Sequence, residues 1–247
     1  MSRPTNPLTR RMFMKRTIGL GALVAGGQLG MAQSVGAYGW SRTLRRGHSG
    51  ADVKELQIRV AGWAADNASR TYVSVDGAFG PGTEAAVMRF QRAYGLSADG
   101  IVGPQTQSIL NSLESSDGST AHFNWSEFHS KDGSGFSGGK VDAARVTENV
   151  RRLMYKLEAL RKKAGGQAVT ITSGFRSIRH NTSVGGASNS QHLYGIAADV
   201  RISGKTPSEV RALAKSCGFS GIILYSTFVH MDSRIEYPYG TQSWYWA

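Results

Sequence analysis

A chain of 247 residues with 40% hydrophobic and 19% charged residues is long enough for two modest domains with real cores, which sets disorder aside. The formal charge is +12, and Arg3, Arg10, Arg11, Lys15 and Arg16 supply five of those charges before any folded pattern begins; the remainder is still basic and favours polyanionic partners without choosing among them. One cysteine, Cys217, excludes an intramolecular disulfide.

The segment Thr9-Arg10-Arg11-Met12-Phe13-Met14-Lys15, followed from Thr17 to Ala32 by an uncharged, glycine-rich apolar stretch, resembles a twin-arginine export signal. The stretch is too short and too interrupted for a stable membrane span, and an ordinary secretory signal is the alternative. Small residues before Gln33 or Tyr38 suit a signal peptidase equally, so residues 1–37 are taken as the exported leader and the mature chain as secreted, periplasmic or associated with the cell wall.

From Leu44 to Leu113 the chain repeats itself. Asp76-Gly77-Ala78-Phe79-Gly80-Pro81-Gly82-Thr83 returns as Asp99-Gly100-Ile101-Val102-Gly103-Pro104-Gln105-Thr106. Each copy is a tight turn launching a helix, with proline in its first turn and threonine placed to stabilise it. Val87, Phe90 and Tyr94 follow the first copy at helical spacing, and Ile109, Leu110 and Leu113 the second; Val53, Leu56 and Val60 mark a preceding helix. With Leu44-Arg45-Arg46-Gly47, Val53-Lys54-Glu55-Leu56-Gln57, Ala86-Val87-Met88-Arg89-Phe90-Gln91 and Gly95-Leu96-Ser97-Ala98-Asp99-Gly100, this stretch resembles the peptidoglycan-binding type 1 family, which implies a three-helix domain over 40–113 that binds wall peptide or glycan. Glu114 to Thr120 is small and polar, as a short flexible linker is, so 114–121 is set as the boundary.

The second domain, 122–247, mixes helices and strands without βαβ alternation, which predicts an α+β fold with a small antiparallel sheet. Residues 142–163 carry a helical apolar stripe (Val146, Val150, Leu153, Met154, Leu157, Leu160), with Arg151-Arg152 and Arg161-Lys162-Lys163 read as a solvated face. Ala168 to Thr172 reads as a strand delivering Ser173-Gly174-Phe175-Arg176. Thr206-Pro207-Ser208-Glu209 is a capping box opening a helix that Gly218 closes, with Cys217 on its apolar side as a buried thiol. Gly221 to Tyr225 and Phe228 to Asp232 are further strands.

The chemistry concentrates in Ser190-Gln191-His192-Leu193-Tyr194-Gly195-Ile196-Ala197-Ala198-Asp199-Val200. Strand alternation from Ile196 puts Ala197, Asp199 and Arg201 on the face opposite Ile196, Ala198 and Val200. A carboxylate in so apolar a strand needs a cation, a metal or donors. The same alternation sends Phe228, His230 and Asp232 one way, so His230 is able to face His192 and Asp199. Two imidazoles and a carboxylate leave the fourth position of a catalytic zinc for water.

Ser-x-His-x-x-Gly-x-Ala-x-Asp, then Val-His-Met-Asp, together with Trp125-Ser126-Glu127-Phe128 and Ser173-Gly174-Phe175-Arg176-Ser177, resembles the zinc D-Ala-D-Ala carboxypeptidase and endopeptidase family, relatives of lysostaphin-type and hedgehog-type folds. The resemblance implies a metallopeptidase that binds one zinc ion through His192, Asp199 and His230. By the same resemblance the expected reaction is cleavage of D,D- or L,D-peptide bonds of peptidoglycan, as a carboxypeptidase or a cross-link endopeptidase. It also places Arg176 beside a substrate carboxylate or carbonyl, the alternative being a loop-holding salt bridge. Some relatives carry an acid or histidine two or three residues before the last ligand; here those positions are Phe228 and Thr227, neither of them a base. Asp232 is the substitute for that proton shuttle, with orientation of a ligand histidine as its other reading, and Ser190 either supports the site or shapes a turn. A non-catalytic wall-binding protein with a structural or inactive metal site is the competing function. Peptidoglycan is the expected partner, nucleic acid is not, and a monomer is expected.

Overall fold

The computed structural model describes residues 37–65 and 70–247; the export-signal segment, apart from Ala37, lies outside the described residues. Helices α1 (Ala51–Val60), α2 (Pro81–Ala93) and α3 (Pro104–Ser112) form the first part. The repeated turn is built as a repeated hydrogen-bond node. Gln57 Nε2 donates to Asp76 Oδ1 (2.8 Å), Ala78 O (3.0 Å) and Thr83 Oγ1 (3.1 Å), while Gly77 N donates back to Gln57 Oε1 (2.7 Å). Gln91 repeats this with Asp99 (2.8 Å), Ile101 O (3.0 Å), Thr106 (3.2 Å) and Gly100 N (2.9 Å). The threonines therefore serve a buried glutamine of the preceding helix, and neither α2 nor α3 has a side-chain N-cap. Proline opens both helices, where its missing N–H costs nothing.

Residues 114–120 fold into a tight turn, with Ser115 N donating to Ser119 O (2.9 Å), Ser119 N to Asp117 Oδ1 (2.9 Å) and Ala121 N to Leu113 O (2.9 Å). Beyond it, α4 (Ala143–Lys163) starts at Asp142, whose side chain accepts from Arg145 N, and packs against α1. Gly62 is what lets them meet: a Cβ there would fall on Ala159 and the backbone of Lys156. Arg151 does not join a solvated face; with the fully buried Arg59 it pairs with Glu55, and Arg59 also reaches Glu114 (2.8 Å) and Leu110 O (3.1 Å). The apolar core runs without interruption from Leu44 and Phe90 through Leu157 to Met231.

The remaining elements are β1 (Val169–Ser173), α5 (Ile178–Ser183), β2 (Ala197–Ile202), α6 (Pro207–Ser216), β3 (Gly221–Leu224), β4 (Val229–Asp232) and β5 (Tyr245–Trp246). The sheet order is β1-β2-β4-β3-β5. The first four strands pair antiparallel, as alternation predicts; β5 adds in parallel to β3, so the sheet is mixed rather than purely antiparallel. Two residues are too few to carry a periodic signal, and Tyr245 and Ala247 are held by backbone bonds to Ser220 and Ile222. Ala198, Val200, Val229 and Met231 are fully buried in the core, which leaves Asp199 and His230 on the sheet's other face. The Thr206–Glu209 capping box forms on α6, and Cys217 is buried at its end. No described helix is long and apolar enough to cross a membrane.

Candidate metal centre

Register brings the site together. Asp199 on β2 lies directly opposite His230 on β4, and Ile223 of β3 flanks His230 on its far side. His192 comes from a short 3-10 turn, Gln191–Tyr194, ended by Gly195 at φ 72, a left-handed position that glycine takes without strain. That turn is tied to the loop after β1, where Arg176 N donates to His192 O (3.1 Å) and His192 Nδ1 meets Gly174 O (2.6 Å). Gly174 is needed for space, since a Cβ would run into Phe128. Phe128 is itself set by the 3-10 turn Trp125–Phe128, whose capping box joins Asn124 and Glu127, and Phe175 N donates to Phe128 O (2.9 Å). The motifs around Trp125, Ser173 and His192 are thus one packed unit behind the site.

Three donor atoms converge: His192 Nε2 and His230 Nδ1 are 3.1 Å apart, His230 Nδ1 and Asp199 Oδ1 3.0 Å, and His192 Nε2 and Asp199 Oδ1 3.2 Å. Bond lengths of about 2.0–2.1 Å in a tetrahedron call for edges of about 3.3–3.4 Å, so the triangle fits zinc with a small opening. Among the described residues this is the only group of three or more His, Cys, Asp or Glu side chains able to share an ion. The outer contacts fit as well. The second nitrogen of each ring is occupied, His192 Nδ1 by a backbone carbonyl and His230 Nε2 by Asp232 Oδ2 at 3.0 Å, which fixes which nitrogen faces inward.

The charges are tightly coupled. Burial alone would push His230 down, but hydrogen bonds and attraction from Asp199 and Asp232 outweigh it and lift its pKa to about 9. Burial pushes His192 down, and Asp199 offsets that only in part. Burial would raise Asp199, yet the two imidazoles hold it well below the usual carboxylate range. Without metal, an imidazolium at His230 between the carboxylates of Asp199 and Asp232 is the stable arrangement.

Arg176 lines the same cleft as the three donors, donating from Nη2 to Asp199 Oδ2 (2.8 Å) and from Nε to Ser173 Oγ (2.9 Å). Asp232 shares the His230 face but sits behind the ring, wholly buried, with both oxygens engaged by Arg234 and His230. Ser190 shapes the turn, accepting at its carbonyl from Leu193 N (3.1 Å), and lines the cleft. Sequence reasoning passed over Arg234, although it continues the 228, 230, 232 alternation, and Tyr245, whose ring Arg234 covers at 5.5 Å. Both line an open cleft of about 630 Å³ that also holds the three donors, Arg176 and Phe228. Trp246 of β5 is half-buried, with its indole N–H on Phe219 O (3.1 Å).

The family described as Peptidase M15 matches residues 121–232, and the family described as a putative peptidoglycan binding domain matches residues 49–110. A zinc D-Ala-D-Ala carboxypeptidase of Streptomyces albus G is 44% identical over 188 residues, 76% of this chain and 72% of that protein. A spore cortex-lytic enzyme of Bacillus cereus is 38% identical over 42% of this chain and 37% of its own length. Among solved structures, a peptidoglycan-binding protein from Clostridioides difficile in complex with glutamine hydroxamate is 41% identical over 30% of this chain and 42% of its own, with a TM-score of 0.25.

Proposed function

We infer, from the premise that the chain belongs to the peptidase M15 family, that it is a zinc metallopeptidase hydrolysing D,D- or L,D-peptide bonds of peptidoglycan, as a carboxypeptidase or cross-link endopeptidase. The observation that carries the reading is the convergence of His192, Asp199 and His230 donor atoms within 4.8 Å of one another at the floor of an open cleft. Residues 40–113 hold the enzyme on the wall, 114–121 join the parts, and 122–247 cut. The Arg10-Arg11 segment directs export by the twin-arginine route, which leaves a wall-associated monomer with no membrane span.

His192, Asp199 and His230 would hold the ion, which supplies Lewis acidity toward the scissile carbonyl and acidifies the attacking water. Arg176 bonds Asp199 through its guanidinium, and its planar fork is shaped to take a substrate carboxylate or developing oxyanion. Asp232 orients His230 rather than moving a proton, because a buried carboxylate committed to a guanidinium and an imidazole has no path to the leaving amine. The cleft lining includes no carboxylate besides Asp199 and no imidazole besides the two donors, and this observation favours the second reading, a wall-binding protein with an inactive metal site.

Zinc content and peptide release from purified peptidoglycan, for wild type and His192→Ala, separate the two. Hydrolysis requires about one zinc per chain and falls by orders of magnitude in the variant. Wall binding with no product from wild type across pH and metal conditions leaves only the second reading. Mass spectrometry of products from defined cross-linked muropeptides then distinguishes release of a terminal residue from cutting of a cross-link.

A further inference from the structure

His230 offers two nitrogens, and only one orientation makes the site. With Nδ1 turned to His192 and Asp199, Nε2 must carry the proton and give it to an acceptor, and Asp232 Oδ2 is that acceptor at 3.0 Å. Asp232 is 0% exposed, so its charge is expensive unless a cation accompanies it. The cation is Arg234: its Nε reaches Asp232 Oδ1 at 2.9 Å, its Nη2 reaches Oδ2 at 2.6 Å, and its own backbone N–H reaches Oδ1 at 3.0 Å. The fork therefore grips both oxygens and sets the plane of the carboxylate that the ring must meet.

The surroundings are shaped for this grip. Gly221 faces the pair across β3, and a Cβ there would overlap Asp232 Oδ2 and Arg234 Nε; its φ lies outside the left-handed range, so space alone demands glycine. The turn that carries Arg234 is pinned at several points. Ser233 N donates to Ile196 O (3.1 Å) and Ile235 N to Ser220 Oγ (3.1 Å), while Lys156 of α4, itself buried, bonds Ser233 Oγ (2.9 Å), Gly218 O (3.0 Å) and Glu236. The ring of Tyr245 on β5 lies against the guanidinium, its centroid 5.5 Å away. An arginine that served only to touch substrate would not need two bonds into a buried carboxylate, nor a glycine emptied behind it.

We propose that Arg234 is a positioning residue of the metal centre: through Asp232, and with Gly221 leaving room, it locks the His230 ring with Nδ1 toward the ion and so sets zinc affinity. The proposal rests on His192, Asp199 and His230 being the zinc ligands, as read above. A planar bidentate cation is required, which a lysine's point charge replaces only in part.

The test is zinc affinity by chelator competition on the full chain, for wild type, Arg234→Gln, Arg234→Lys, Asp232→Asn and the Arg234→Gln/Asp232→Asn pair, each checked for a cooperative melt. Loss of such an outer partner costs about 10–100-fold in metal affinity. Arg234→Gln is expected to lose that much and Arg234→Lys less, while Arg234→Gln in the Asp232→Asn background adds little, because the same link is already cut. The visible spectrum of the cobalt-substituted protein should change in Arg234→Gln, and at saturating zinc the KM should stay near that of wild type. Wild-type zinc affinity in a folded Arg234→Gln, or an unchanged affinity with a raised KM, overturns the proposal and makes Arg234 a substrate contact. Should Arg234→Gln fail to melt cooperatively, Arg234→Lys decides: a loss of about threefold or more supports the lock and no loss overturns it. Zinc affinity and the cobalt spectrum need no peptidoglycan, so a protein that binds zinc through this lock yet hydrolyses nothing sinks the function and spares the inference, whereas a wild type that binds no zinc sinks both.

Discussion

Raising the pH of the metal-stripped protein from 6 to 9 should destabilise it, and His230 is the reason. Its folded pKa of about 9 stands above the ordinary value of 6.5 because Asp199 and Asp232 flank the buried ring at 3.0 Å on either side. A group whose folded pKa is raised contributes stability that is fully present below its unfolded pKa and is lost as pH rises through the folded one; the window is therefore roughly 6.5 to 9. A gap of that size corresponds to at most about 3 kcal/mol, or a fall in Tm of roughly 6–12 °C for a unit of this length. Both aspartates are held far below neutrality and stay charged throughout, so they contribute no slope here. Tyr94 and Tyr155, pushed up to about 12 by burial, titrate above the window. The assay is a thermal melt at constant ionic strength every half pH unit, on the metal-free protein, the zinc-loaded protein and metal-free His230→Gln. The metal-free wild type should lose stability across the window, and His230→Gln should lack that fall. Zinc displaces the Nδ1 proton, so apparent zinc affinity rises over the same range. A metal-free wild type whose Tm does not move between pH 6 and 9 refutes the coupled imidazolium and with it the electrostatics described for the site.

Asp232→Asn should keep the fold but weaken zinc binding by about 10–100-fold, read by competition with a chromophoric chelator, because the amide no longer draws the Nε2 proton as a carboxylate does. Gln91→Leu removes a buried side chain that makes four hydrogen bonds and leaves Asp99, Thr106, Ile101 O and Gly100 N without it; a loss of about 2–3 kcal/mol in urea unfolding is expected, and a change under 0.5 kcal/mol would show that water replaces the node. Gly62→Val drives a branched side chain into Ala159 and Lys156, and about 1–3 kcal/mol of destabilisation should appear in the same assay. Thr206→Ala breaks one capping box on α6 and costs about 1 kcal/mol.

The strands around the site were legible because burial imposes a period of two: Ala198, Val200, Val229 and Met231 enter the core, and Asp199 and His230 are thereby left together on the other face. The helix start at Thr206 was legible because capping is local chemistry, and the helix from 142 because its apolar stripe recurs at helical spacing. What escaped was whatever depends on distant segments meeting. Gln57 and Gln91 look like ordinary helix residues until the following turn folds back on them. Gly174 and Gly221 look like turn punctuation, yet they are glycine because Phe128 in one case and the Asp232–Arg234 pair in the other occupy the space of a side chain. Arg151 sits in a basic run that reads as a solvated face, and only the approach of α1 supplies the Glu55 that draws it in. The fifth strand carries too few residues to announce itself, and its parallel pairing comes from Ser220 and Ile222 rather than from any pattern of its own.

The contact at Gly62 has a mechanical meaning. A binding module on a loose tether lets its partner sweep a volume and sample many bonds, with an effective concentration set by tether length. Here the two helices touch backbone to side chain and a continuous core runs past the joint, so attachment and cutting keep a fixed offset. On the proposed function, such an enzyme gives up sweep for aim: once anchored, it would address bonds at one distance and angle from the anchor.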